Sequence, residues 1–136
     1  MGKLALLVVA IVSAAVVASP IGASESKTTA NVQLKEFKVL ASPASAQHWF
    51  VMFAVRNTGK IPHEFVVLKT KVAPAKLPVK SGKAVETGRV GKIGALKLKP
   101  GALRRLNLNL EAGKYVLLCN LPGHYQAGQR VGFAVT

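Results

Sequence analysis

From Val32 onward the apolar residues recur at every second position rather than every 3.6, and this period restricts the chain to strands. Val32 and Leu34, with Glu36 next in step, alternate with Gln33 and Lys35 in a first strand. In the run ending at Arg56, Trp49, Val51, Phe53 and Val55 share one face. His48, Phe50, Met52, Ala54 and Arg56 share the other, so this strand reads as almost wholly buried, with Trp49 and Met52 in the core and His48 at an edge. It ends at the turn Asn57-Thr58-Gly59-Lys60, and Pro62-His63-Glu64 opens another strand over Phe65 to Leu68. Alternation returns in Leu106, Leu108 and Leu110, and Glu111 to Lys114 forms a hairpin connection. Strands follow over Tyr115 to Cys119 and Arg130 to Thr136. About seven short strands, turn signals between them and no amphipathic helix predict an all-β antiparallel β-sandwich.

Three segments fall outside this pattern. Ser24 to Ala30 is small and polar and is expected to be disordered, and Ala41 to Ala46 reads as a connection. Lys69 to Gly101 carries three prolines, five glycines and nine Lys/Arg against the single Glu86, and reads mostly as a solvated excursion with a short element near Lys83 to Glu86.

At 136 residues the chain is one domain. Met1-Gly2-Lys3 is a short basic start, and Leu4 to Ala18 is a 15-residue apolar run broken by Ser19-Pro20. A membrane span needs about 20 such residues, so residues 1–23 read as a secretory signal peptide cleaved after Ala23. Residues 24–136 are then an exported domain, periplasmic or extracellular, that meets a membrane only if the leader is retained. An oxidising destination makes the single cysteine, Cys119, conspicuous, because it has no internal partner. A small buried hydrophobe and a metal ligand are both readings of such a thiol.

The formal net charge is +14, with 19 Lys/Arg, five Glu and no aspartate. Such a field favours acidic protein partners and speeds encounter with them, or reflects acidic surroundings. Nucleic acid is not expected, since aromatics are few and no binding motif is present.

Chemistry concentrates at two places. Cys119-Asn120-Leu121-Pro122-Gly123-His124 joins a thiol and an imidazole across a Pro-Gly loop at the exit of an apolar strand, and His63 stands at the entry to another. Two imidazoles and a thiolate in a trigonal array with a weak axial donor form the set that holds copper for one-electron transfer. Thiolate suits Cu(I), and imidazole tolerates both oxidation states. Asn120 is placed either to donate a backbone N–H to the Cys119 sulfur or to shape the turn.

The segments Asn57-Thr58-Gly59 and Pro62-His63-Glu64-Phe65 resemble the first-ligand region of the cupredoxins, the plastocyanin/azurin family of small blue-copper proteins. Tyr115 to Gly128 resembles their C-terminal ligand loop, and the similarity extends over about residues 28 to 136. The resemblance implies a Greek-key sandwich, one mononuclear copper with His63, Cys119 and His124 as equatorial ligands, and electron transfer. It implies a monomeric carrier rather than an enzyme, with His124 as the electron port and Leu121, Pro122 and Pro62 around it as a docking patch for redox partners. Where the commonest pattern has methionine five residues after the second histidine, this chain has Gln129, which implies a stellacyanin-like axial amide oxygen. Glu64 stands where many members carry an asparagine that ties the ligand loops together; it either serves there by hydrogen bonding or faces solvent at a strand start, and the solvent-facing reading is preferred. A periplasmic copper chaperone or buffer is the alternative function, since the same ligands serve it.

Overall fold

The computed structural model describes residues 1–2, 27–47 and 49–136, with no account of the Trp49 side chain. The expected leader beyond its first two residues, and His48, lie outside the described residues. The strands, in chain order, are β1 (Lys27–Lys35), β2 (Lys38–Ser42), β3 (Ser45–Ala46), β4 (Trp49–Asn57), β5 (Phe65–Lys69) and β6 (Val79–Lys80). They continue with β7 (Lys83–Ala84), β8 (Arg89–Ile93), β9 (Leu103–Leu110), β10 (Gly113–Leu118) and β11 (Arg130–Val135). One sheet has the order β2-β1-β4-β9, the facing sheet β3-β11-β10-β5-β8, and β6-β7 is a separate hairpin. Among the described residues no helix is long and apolar enough to cross a membrane.

The predicted sandwich is present, but its sheets are mixed. β1 runs parallel to β4, with Ala30 opposite Phe53 and Val32 opposite Val55. β3 is parallel to β11. Thr28 to Ala30, expected to be disordered, belong to β1, where pairing with β4 satisfies their backbone groups and Ala30 is fully buried. The expected connection after Ala41 contributes the end of β2 and all of β3.

The core lies between the sheets. Val32, Leu34, Val51, Phe53 and Val55 from one meet Phe65, Val67, Leu117, Phe133 and Val135 from the other. Phe53 packs between Phe65 and Phe133, with ring centroids 5.5 and 5.3 Å away. A Phe buried in this way contributes roughly 1.5–3 kcal/mol relative to exposure. Met52 is not in this core. It points to the outer face, half-buried, because the period of two that buries Val51 and Phe53 turns it outward.

The outer face of the second sheet is also covered. Val66, Leu68, Val116 and Leu118 form a second cluster with Leu77, Ala84 and Tyr125. The excursion after Lys69 is therefore not simply a solvated loop. Leu77 and Ala84 cap the sheet, and Arg89–Ile93 pairs antiparallel with β5 as its edge strand. Four consecutive buried residues in β5, Phe65 to Leu68, and four in β10, Tyr115 to Leu118, reflect burial on both faces.

Candidate metal centre

β4 ends at Asn57, and the segment leading to β5 carries His63. Asn57 is fully buried and organises that segment. Its Nδ2 donates to the carbonyls of Ile61 and Leu98, each at 2.8 Å, and its Oδ1 accepts from Gly59 N–H at 2.8 Å. The His63 N–H donates to the Leu98 carbonyl at 3.2 Å. These bonds place the fully buried His63 ring beneath the end of the sandwich.

Cys119 follows β10 directly. Its N–H donates to the Gln129 carbonyl at 3.1 Å, and Gln129 N–H donates to the His124 carbonyl at 3.1 Å. The loop between them is closed by His124 N–H on Leu121 O and Gly128 N–H on Tyr125 O, both at 3.0 Å. Three of the sequence-predicted site residues thus sit on one stiff turn. The β6–β7 hairpin braces it from outside, where Gly82 O accepts from Gly123 N–H at 2.8 Å. Ser81 and Gly82 both have positive φ, 51° and 77°, which a two-residue hairpin turn of this kind requires.

The structure brings His63, Cys119 and His124 together, with their ligand atoms all within 4.8 Å of one another. Cys119 Sγ lies 3.8 Å from His63 Nδ1 and 3.5 Å from His124 Nδ1. Bonds of about 2.0 Å to nitrogen and about 2.3 Å to sulfur, 120° apart, separate the two donors by about 3.7 Å. The donor set therefore fits one first-row metal ion in a trigonal arrangement. Gln129 is fully buried beside it, with Oε1 3.0 Å from His124 Nδ1 and Nε2 3.1 Å from His63 Nδ1.

Glu36 is the residue that the sequence reading missed. It sits in the turn between β1 and β2, and its Oε1 accepts from His63 Nε2 at 3.1 Å. This bond leaves the lone pair on Nδ1, the atom facing the thiol. The same oxygen accepts from the N–H groups of Lys60 at 2.8 Å and Ile61 at 3.0 Å. Its own backbone N–H leads these hydrogen bonds in lowering the Glu36 carboxyl to about 2, against a smaller opposing effect of burial. Its place in step with Val32 and Leu34 was visible, but nothing local links it to a residue 27 positions away.

Several expectations need correction. Glu64 does not face solvent: it is buried, and its Oε2 pairs with Lys92 Nζ at 3.2 Å, while Oε1 has no hydrogen-bond partner among the described residues. Its N–H donates to Cys119 Sγ at 3.3 Å. The second N–H on that sulfur comes from Leu121, not from Asn120. The Asn120 side chain instead exchanges hydrogen bonds of 2.8 and 2.9 Å with Ala84 and donates to Glu86 Oε1 at 2.8 Å, tying the loop to β7. Tyr125 ties the loop to the excursion, its hydroxyl accepting from Leu77 N–H at 2.9 Å and donating to Pro74 O at 2.7 Å.

Burial pushes the Cys119 thiol up, the N–H groups of Leu121 and Glu64 opposing it. Burial also lowers His63, with the Glu36 hydrogen bond opposing. The metal-free pair is thus held as thiol and neutral imidazole, and a cation entering must displace the thiol proton.

His124 is half-buried, and its ring packs edge-on against Phe37 at 5.0 Å and against His63 at 5.4 Å. Pro62 and Pro122 are exposed, Leu121 is half-buried, and Phe37 and Ile61 are each 40% exposed.

No family model and no curated protein matches the sequence. Solved structures do match in fold. A reduced auracyanin from the photosynthetic bacterium Roseiflexus castenholzii is 17% identical with a TM-score of 0.57, covering 83% of this chain and 98% of its own. Rusticyanin from Thiobacillus ferrooxidans is 18% identical with a TM-score of 0.60, covering 83% and 79%. A rusticyanin mutant with glutamine in place of a methionine is 19% identical with a TM-score of 0.60, covering 83% and 80%. The chain has the cupredoxin fold, with a His-Cys-His cluster at one end of its sandwich.

Proposed function

We propose that the protein is a small exported electron carrier holding one copper ion through His63 Nδ1, Cys119 Sγ and His124 Nδ1, with Gln129 Oε1 as a weak axial donor. The observation that carries this reading is the convergence of two Nδ1 atoms and one Sγ within 4.8 Å, at separations that suit a trigonal metal. Copper bound there supplies a single-electron couple between Cu(I) and Cu(II).

The protein's part is positional. Asn57 and Glu36 hold the His63 ring, and the N–H groups of Glu64 and Leu121 support the sulfur as thiolate. Core strands behind the site and the hydrogen-bonded turn in front limit rearrangement when the charge changes. The half-buried His124, whose ring packs against Phe37, is the electron port, and the exposed Pro62 and Pro122 with the half-buried Leu121, neighbours of the ligands along the chain, supply the apolar docking patch. Apolar contact there is weak enough for quick release, and the basic surface steers a redox partner with an acidic face. The carrier acts as a monomer, does no substrate chemistry, and is delivered to the periplasm or cell exterior by residues 1–23. Its rival, a copper chaperone, would need ligands that open readily. Side-chain and backbone hydrogen bonds that brace all three favour a site that keeps its metal.

Copper-loading the purified domain and recording visible and electron paramagnetic spectra tests this. The expected result is an intense thiolate-to-Cu(II) band, lost in Cys119→Ser, together with reversible voltammetry. A Cys119→Ser protein with the wild-type spectrum refutes the ligand set. Metal transfer to an acceptor without redox cycling would establish the chaperone reading.

A further inference from the structure

Among the described contacts, the bracket at Glu36 is unlike the rest of the site: one carboxylate oxygen receives three N–H groups, from Lys60, Ile61 and the His63 ring. The chain has made room for it. Gly59 lies directly against the carboxylate, and a Cβ there would overlap its oxygens and come within 2.8 Å of Cδ. Backbone donors fix the carboxylate independently of the histidine, so it is a rigid acceptor rather than a mobile surface acid. The Glu36 side chain is 29% exposed and the His63 side chain fully buried, so the charge faces the outer nitrogen of the ring across a partly desolvated contact.

We propose that Glu36 is a positioning residue that locks the metal-facing tautomer of His63 and biases the bound metal toward its more highly charged state. This rests on the copper reading above. A carboxylate on the far nitrogen draws the Nε2 proton and makes Nδ1 a more basic donor. A basic nitrogen stabilises Cu(II) more than Cu(I), because the doubly charged ion gains more from it. Gln129 acts in the same direction from the axial side, so the two residues together set a low potential, one through the ligand it holds and the other through its own oxygen.

The test compares wild-type holoprotein with Glu36→Gln and Gly59→Ala. Glu36→Gln preserves the shape and removes the charge. Gly59→Ala leaves Glu36 in the sequence but expels its carboxylate from the bracket. Both should weaken Cu(II) binding about 10- to 100-fold, the usual range for a lost partner of a metal-bound histidine. With Cu(I) affinity little changed, the potential rises by about 59 mV for each tenfold loss. The thiolate band should persist in both. Variants that melt earlier but keep the wild-type potential and Cu(II) affinity would overturn the proposal and leave Glu36 a purely structural bracket. A wild-type protein without the thiolate band would instead overturn the copper reading itself, and the two failures are separable.

Discussion

Replacing Asn57 with alanine should loosen the end of the sandwich that carries His63. Three hydrogen bonds of 2.8 Å disappear, to Ile61 O, Leu98 O and Gly59 N–H. The losses are unequal. Leu98 O is buried but keeps the His63 N–H, whereas Ile61 is exposed enough for water to replace the side chain. At a net value near 1 kcal/mol each, with an added penalty for buried groups left unpaired, the variant should lose about 2–4 kcal/mol. For a domain of this size that is a fall of about 8–16 °C in melting temperature. Asn57→Asp sharpens the test. It retains an oxygen for Gly59 N–H but turns an unprotonated oxygen toward two carbonyls, so at neutral pH it should be less stable than the alanine variant. Denaturant melts of metal-free and copper-loaded protein measure both. An alanine variant within 1 kcal/mol of wild type, or an aspartate variant more stable than it, would refute the reasoning.

Gln129→Met exchanges an amide oxygen for a softer thioether and should raise the reduction potential; an unchanged value by voltammetry would show that Gln129 does not bond the metal. Tyr125→Phe removes the acceptor for Leu77 N–H and the donor to Pro74 O, and should cost about 1–3 kcal/mol in a thermal melt while leaving the potential unchanged. Burial raises the Cys119 thiol, so metal-free Cys119 is protonated across the neutral range and must give up that proton to bind. Copper affinity should therefore increase with pH, with about one proton released from the thiol per ion, measured in weakly buffered solution. Uptake near pH 7 with no proton release would contradict the protonated thiol.

The strands of the core were legible because period two survives in them: Val51, Phe53 and Val55 turn inward as the alternation requires. Less legible was β8, whose Arg-Val-Gly-Lys-Ile segment carries only one buried residue, as an edge strand does. Lys27 to Ala30 looked too polar for a strand, since a parallel neighbour satisfies its backbone without demanding apolar side chains at every inward position. Likewise the runs Phe65 to Leu68 and Tyr115 to Leu118 were legible as apolar strands, but their burial on both faces was not, because Leu77, Ala84 and Tyr125 supply the second cover only after folding.

By itself the sequence determined the fold class, because alternation is a local property of the chain, and it offered His63, Cys119, His124 and Gln129 as candidate donors through their identities and spacing. Only the tertiary structure decided which groups surround them. Glu36 reaches His63 from 27 positions away, Glu64 turns inward to Lys92, and Asn120 grips Ala84 rather than the sulfur. Those contacts are set by how two sheets and an excursion pack, and no short-range pattern encodes a distance between side chains that meet only after folding.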